Sequence, residues 1–478
     1  MLSNNRNNLC FSWKINMRQY KEETRILAFA ISVLFVNILI LHKTFSGLER
    51  ENTIDPGGTD FGESPLFPYG QYPSDKYRIF ESRLRKLTEI SQDTGLDTEY
   101  NEFPSHNYIQ KSDQTLDCND ILSMTNRRYI ASGWTKAVYS GDFRNQSYAI
   151  KTVSPQGRDV TACQENGNSF NVCYEKATRK IIKENSLLML LSHPNIVKVL
   201  GFCPPKSAYD QNVAMVTELG ESIELIRLLQ MSWEDRLKIA YDMTKLVYFM
   251  AHNQFGSIAI NDFRRQQFVR VNNTLKLSDI DDIGFGDPSC ETDGDCTIIF
   301  PSVNFSQRLS CLNSRCIGFN EKRNIFNGGR HFTTFLLPHG APSKLETFIN
   351  RVVDGYSNLT MNIRELLTLM EKIVLIYSTG SYLDRNKVDK NSTYKRIPQQ
   401  NIPDNYDYMC RLSLTGTGCT VSVFDLKEAE DLCNSDSECK AFVVTNQKTW
   451  TGRTVVHLKS GTGSPRHNKD TSIYLKPT

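Results

Sequence analysis

Tyr148-Ala149-Ile150-Lys151-Thr152-Val153, then Glu184, then His193-Pro194-Asn195-Ile196-Val197 form the stretch on which the reading of this chain turns. The first six residues read as a strand, preceded by a β-type run at Ala137-Val138-Tyr139 and a turn over 141–146. Residues 176–191 read as a helix, because Ile181, Ile182, Leu187, Leu188 and Leu191 supply an apolar stripe at helical spacing. Short β-type runs follow at 196–200 and 213–217. A longer helix covers 233–252, its start marked by Ser232 and by Glu234-Asp235 in the first turn. Strands followed by a mostly helical part give an α+β fold in two lobes. Asp262 and Leu277-Ser278-Asp279 stand further on. A lone Ala-Ile-Lys is common and usually ends in a solvated lysine. What makes the set specific is a glutamate nine residues ahead of His-Pro-Asn-Ile-Val.

In this order the residues resemble a protein-kinase active site, and the resemblance implies a role for each. Phosphoryl transfer needs little covalent chemistry from the protein; it needs positioning and charge. Lys151 stands where kinases hold the α- and β-phosphates, and Glu184 where they fix that lysine. Met215-Val216-Thr217-Glu218-Leu219 is similar to a kinase hinge, with Thr217 as gatekeeper and the Glu218 backbone beside adenine. Asp262 takes the place of the base that accepts the substrate hydroxyl proton. Asp279 takes that of the metal-binding aspartate, with Asp281 and Asp282 as extra acids for a second ion. The cofactors implied are ATP and Mg²⁺ or Mn²⁺.

Around these residues the kinase pattern is eroded. The usual His-Arg-Asp, with an Asn five residues after the Asp, is here Ile260-Asn261-Asp262 with Gln267 in the Asn place. The Gln267 amide oxygen can still serve a metal. The lost arginine is the one that docks a phosphorylated activation loop, so activation of that form is not expected. Asp279-Ile280-Asp281-Asp282 stands for Asp-Phe-Gly. In the phosphate-covering loop, with Val138 closing the motif, Ala131, Gly133 and Lys136 fill the three glycine places. Gly133 lets backbone approach phosphate closely, and Lys136 brings a charge toward it.

The chain's 478 residues allow two or three domains, and its +3 charge, with both signs interspersed, gives no reason to expect nucleic acid as a partner. The hydrophobic run 26–41 reaches about 24 Å as a helix, short but tolerable for a thin early-secretory bilayer. Arg6, Lys14, Arg18, Lys21 and Arg25 precede it, and positive charge stays on the cytosolic side. A type II signal anchor is expected, with a cleaved signal peptide as the alternative. After Cys10, twelve cysteines follow the run, with close pairs at Cys163/Cys173, Cys290/Cys296, Cys311/Cys316 and Cys433/Cys439. Spacing leaves their connectivity open. Zinc is the competing use, but the spacings are irregular and no histidines flank them. Sequons at Asn145, Asn272, Asn304, Asn358 and Asn391 agree with a glycosylating, oxidising compartment.

The organisation read from these features is a cytosolic tail (1–25), an anchor or signal peptide (26–42), a luminal stem (43–117) with an amphipathic run at 77–96, a kinase-like domain (118–402; lobes about 118–220 and 221–402) and a cysteine-rich C-terminal region (403–478). That last region is similar to PAN/apple modules over 426–433 and 439–442. The loop Gly133-Trp134-Thr135-Lys136-Ala137-Val138-Tyr139 also resembles a narrower group, the secretory-pathway kinases of the vertebrate lonesome kinase type. So do Ser232-Trp233-Glu234-Asp235-Arg236, Asp262-Phe263-Arg264, Gln267-Phe268-Val269 and Asn320-Glu321-Lys322-Arg323-Asn324. Ala441-Phe442-Val443-Val444-Thr445-Asn446-Gln447 and Thr449-Trp450-Thr451-Gly452-Arg453 carry the likeness to the end of the chain, so the cysteine-rich region belongs to the family architecture. The resemblance implies an ATP-dependent kinase acting on tyrosines of secreted and extracellular-matrix proteins. The resemblance does not extend to the first 117 residues; with the anchor reading of the run 26–41, the expected location is the Golgi and secretory lumen as a type II membrane protein, or secretion. A non-catalytic pseudokinase scaffold and a kinase for glycan hydroxyls are the alternatives.

Overall fold

β1 (Thr125–Ser132), β2 (Lys136–Phe143) and β3 (Gln146–Val153) form an antiparallel meander that continues through β5 (Ala214–Glu218) to β4 (Val199–Cys203), in the order β1-β2-β3-β5-β4. A computed structural model describes residues 116–206, 211–300, 304–383, 394–410, 413–414 and 417–477. The tail, the anchor, nearly all of the stem and the sequon at Asn391 lie outside the described residues. The β2–β3 hairpin closes on two residues, Arg144 and Asn145, with φ of 49° and 63°. Right-handed strand twist favours such a turn, and Asn tolerates the left-handed backbone. Its register sets Val138 opposite Lys151.

α1 (Cys118–Leu122) is capped by Asp117 and Asp120 and tied to β4 by the Cys118–Cys203 disulfide. α2 (Arg158–Glu165) leads to α3 (Phe170–Leu190), which starts six residues before the expected 176. Cys173, fully buried and bonded to Cys163, gives that first turn a core anchor outside the leucine–isoleucine stripe. The stripe packs behind the sheet through Ala177, Ile181, Leu187 and Leu188.

Helices dominate the second lobe: α4 (Leu225–Gln230), α5 (Trp233–Ala251), α6 (Phe319–Gly328), α7 (Glu346–Ser357) and α8 (Ile363–Ser378). Ser232 caps α5 by accepting from the Asp235 N–H. Leu237, Met243, Leu246, Val247 and Met250 on α5 are wholly inaccessible to water; each such burial contributes about 1.5–3 kcal/mol. One apolar core runs from Val153 in the first lobe to Tyr377 in the second. The second lobe also carries the short strands β6 (Glu221–Ser222), β7 (Ile258–Ile260), β8 (Phe268–Val271), β9 (Thr274–Leu277) and β10 (Ile283–Phe285). Two hairpins follow, β11 (Thr297–Phe300) with β12 (Phe305–Arg308) and β13 (Cys311–Leu312) with β14 (Arg315–Cys316).

β15 (Lys395–Asn401), from the end of the span read as kinase-like, joins β16 (Cys419–Val423), β17 (Ala441–Lys448), β18 (Thr454–Lys459) and β19 (Arg466–Leu475) of the C-terminal region in a separate sheet, ordered β15-β19-β17-β18-β16, over the helix α9 (Leu426–Ser435). The C-terminal region docks on the second lobe through buried polar groups. The Arg453 guanidinium donates to Glu428 Oε1 (2.6 Å), Ser422 O (3.0 Å) and Tyr377 O (3.1 Å). Thr451 Oγ1 and Ser422 Oγ both donate to the Glu234 carboxylate of α5, at 2.6 and 2.5 Å.

All twelve cysteines from Cys118 onward are in six disulfides, which leaves no thiolate set for zinc among the described residues. Cys163–Cys173 and Cys433–Cys439 are bonded as near neighbours, and Cys410 bonds Cys419. In the middle of the chain, nearness in sequence misleads: Cys290 bonds Cys311 and Cys296 bonds Cys316. The reason is local packing. The 311–316 hairpin lies against the 290–296 loop, with Cys290 N donating to Ser314 O and Cys311 N to Asp293 Oδ1, so each cysteine meets one in the facing segment. The sequons at Asn145, Asn272, Asn304 and Asn358 are all exposed. No helix among the described residues is long and apolar enough to cross a membrane; the run 26–41 lies outside them.

Candidate active site

Lys151 lies within β3, and its neighbours Ala149 and Ile150 are buried with it. Its ammonium donates to Glu184 Oε1 at 2.9 Å and to the Ser278 carbonyl at 2.6 Å. Glu184 projects from α3 and has no exposure to water. A carboxylate there is tolerable only when paired and hydrogen-bonded, because burying an unpaired ion costs several kcal/mol. Its pairing is double: the second oxygen, Oε2, accepts from Lys136 at 2.7 Å.

Lys136, the first residue of β2, also reaches Asp279 Oδ1 at 2.6 Å and Asp281 Oδ2 at 3.0 Å. The sequence reading sent this side chain toward phosphate; in the structure it sits among three carboxylates. Burial opposes its charge, but Glu184, Asp279 and Asp281 overcome that and raise its pKa above the ordinary lysine value. Burial likewise opposes ionisation of Asp279, yet Lys136 and Lys151 hold its carboxyl down to about 2. Asp281 goes the other way, to about 6: burial dominates, and the charges of Asp279 and Glu184 offset the pull of Lys136. Ligand oxygens of Glu184, Asp279 and Asp281 lie within 4.8 Å of one another. Hard carboxylate oxygens in that number suit Mg²⁺ or Mn²⁺, so the donor set fits the metal that the kinase pattern implies.

Asp262 follows β7. Phe263 beside it is buried, stacked on His331 and tilted against Phe268, which anchors the loop at this point. Arg264 donates from Nε and Nη2 to the two Asp262 oxygens, at 2.5 Å each, and the Gln267 amide nitrogen donates to Oδ2 as well. The Gln267 carbonyl accepts from the backbone N–H groups of Ser278 and Asp279, at 2.7 and 3.3 Å. Those bonds join the Asp262 loop to the Asp279 segment.

At the hinge, Thr217 is buried and its hydroxyl donates to Glu218 O at 3.3 Å. The Glu218 carboxylate is held by Lys276 (2.7 and 2.9 Å) and by the Lys198 N–H (2.9 Å). Its own N–H donates to the Lys198 carbonyl at 3.3 Å. Val138 is half-buried over Lys151, and Gly133 is exposed with nothing within 4 Å of where a Cβ would stand. No protein atom demands glycine at 133, and the open space suits a ligand's close approach.

Sequence reasoning missed two things here. Arg264 clamps Asp262, and its only signal was its place two residues on, in Asp-Phe-Arg. The phosphate-covering loop is also pinned from the side. Thr135 Oγ1 donates to the Asp159 carboxylate of α2, which Lys180 Nζ also reaches at 2.6 Å, and Asp159 N donates to Trp134 O at 3.0 Å. Those contacts join positions more than twenty residues apart and left no local signature.

A five-stranded lobe carrying a lysine locked to a helix glutamate, over a second lobe that supplies two carboxylate segments, defines a protein-kinase fold with its cleft assembled. The chain is 38% identical over 363 residues to the human protein named Extracellular tyrosine-protein kinase PKDCC, a match covering 76% of this chain and 73% of that one. It belongs to that family of secreted kinases. No protein-family model matches the chain.

Proposed function

We propose that this chain is an ATP-dependent kinase of the secretory pathway and extracellular space that phosphorylates tyrosines of secreted and matrix proteins. The observation that carries the reading is the Lys151–Glu184 pair at 2.9 Å, formed in the same cleft as Asp262 and Asp279. Glu184 fixes the Lys151 ammonium, so a nucleotide's α- and β-phosphates meet a charge already in place, with little reorganisation. Asp262 takes the proton of the acceptor hydroxyl on its carboxylate as that oxygen attacks the γ-phosphorus and the bond from that phosphorus to the β–γ bridging oxygen breaks, so that ADP leaves; Arg264 and Gln267 orient Asp262. Glu184, Asp279 and Asp281 are the residues that would hold Mg²⁺ or Mn²⁺, with Gln267 beside them. A bound divalent ion supplies charge neutralisation at the phosphates. The hold of Arg264 on Asp262 is the one observation that favours a pseudokinase scaffold instead.

Tyrosine as acceptor and secreted and matrix proteins as substrates rest on the resemblance and on the relative's name. Six disulfides and four exposed sequons support an oxidising, glycosylating compartment, and the anchor reading adds a type II form in the Golgi membrane beside a secreted form. The acceptor is tested by incubating the full chain from a secretory host with ATP, Mn²⁺ and a mixture of secreted glycoproteins, then identifying the phosphorylated groups. Phosphotyrosine is expected, reduced about 10²-fold or more in Asp262→Asn. Phosphosugar alone would make the chain a glycan kinase, and no product would make it a scaffold.

A further inference from the structure

Lys136 enters no step described above, yet its ammonium lies within 3.0 Å of all three carboxylates expected to hold the metal. We propose that Lys136 is the resident cation of the metal site, one that a divalent ion replaces more easily once a nucleotide's phosphates draw the ammonium away, so that metal binding is coupled to ATP. This rests on the kinase reading of the cleft and goes beyond it by assigning the order of occupancy.

Two further features support it. The first is charge. Glu184, Asp279 and Asp281 carry three negative charges in a cleft where Glu184 is fully buried, and among the described residues Lys136 and Lys151 are the cations in direct ion pairs with them. Lys151 touches Glu184 alone of the three, so Lys136 is the cation that bridges the two aspartate carboxylates. The second is mechanical. The loop before β2 is fastened at Thr135 and Trp134 to α2, and α2 is stapled to α3 by Cys163–Cys173. With its backbone fixed, Lys136 reaches the carboxylates by construction. Its flexible four-carbon stem is the part free to swing, and phosphate oxygens entering over Gly133 would meet it from the open side.

A metal that must displace this lysine binds more weakly than the bare carboxylates allow. If the lysine-free state is populated about one-tenth of the time, apparent affinity falls about tenfold. The test is Mn²⁺ binding to the full chain, followed by the paramagnetic resonance signal of free Mn²⁺, with and without a non-hydrolysable ATP analogue. In wild type the analogue is expected to tighten Mn²⁺ binding about tenfold or more. In Lys136→Met, with folding checked by circular dichroism, Mn²⁺ is expected to bind about tenfold tighter than in wild type before any nucleotide is added, while Lys136→Arg, which keeps a cation, follows wild type. Equal Mn²⁺ affinity of folded wild type and Lys136→Met without nucleotide overturns the proposal. Should Lys136→Met not fold, wild type alone decides: affinity that does not respond to bound analogue also overturns it. If the methionine variant gains affinity while neither protein binds the analogue, the resident cation stands and the kinase reading falls.

Discussion

Glu184 shows what a single position can and cannot reveal. Its spacing from His193-Pro194-Asn195 announced a partner for Lys151, since kinases use that interval and a buried carboxylate needs a cation. That it takes two lysines could not be read, because the position of Lys136 depends on Thr135 meeting Asp159 on another element. Asp279 was legible as an acid beside Asp281; Arg264 was not legible as the clamp on Asp262, because exposed arginines rarely announce a partner two residues away. Two histidines outside the chemistry yield a pH prediction. Burial lowers His193 from 6.5 to about 4, with the charge of Lys245 adding to it. Burial also lowers His331 to about 4, helped by Arg265 and Arg330. The unfolded chain therefore takes up these protons first, and the stability the neutral rings contribute is lost as pH falls from about 6.5 to about 4. Asp281, raised to about 6, opposes this as one group against two. The melting temperature should drop across that window and the drop should shrink in a His193→Gln, His331→Gln double variant. A flat or rising profile in wild type contradicts it.

Elements with a simple period were legible: α5 came within a residue of its expected span, and β3 and β5 followed from alternation and apolar runs. Segments held by disulfides were not, because spacing is silent on what lies across from what. The segment between Asp279 and α6 is the consequential case. In a kinase this stretch is often ordered by phosphorylation; here Cys290–Cys311 and Cys296–Cys316 close loops of 21 and 20 residues. Loop-closure entropy gives each about 3 kcal/mol. That accords with the missing catalytic-loop arginine, since a covalently ordered segment needs no phosphate to dock. Replacing Cys296 and Cys316 together by serine should cost about 2–5 kcal/mol in denaturant unfolding, while phosphatase treatment of wild type leaves activity unchanged. Activity lost on phosphatase treatment, with the disulfides intact, would show that phosphate still does the ordering.

Across the whole molecule, the C-terminal cysteine-rich region is joined to the second lobe rather than tethered beside it. Its helix and one strand were legible from the residue pattern at 425–433 and 441–445, but the network that docks it gathers Glu234, Tyr377, Ser422, Glu428 and Arg453 from distant parts of the chain. Arg453 is 2% exposed and lies 4.3 Å over the Tyr377 ring. Truncating it leaves Glu428 without its cation, and breaking such a buried pair costs about 3–5 kcal/mol. Arg453→Met should lower the stability of the second lobe and the C-terminal region together in one unfolding transition. Loss confined to the C-terminal region would mean that the two are independent. The central claim, that this cleft transfers phosphate, is tested most directly by ATP-dependent phosphorylation of secreted proteins by the purified full chain beside Lys151→Met, both shown to be folded. Wild type is expected to incorporate phosphate and the variant to fall to background; equal incorporation by the two, or none by wild type with nucleotide and Mn²⁺ bound, would contradict phosphoryl transfer in this cleft.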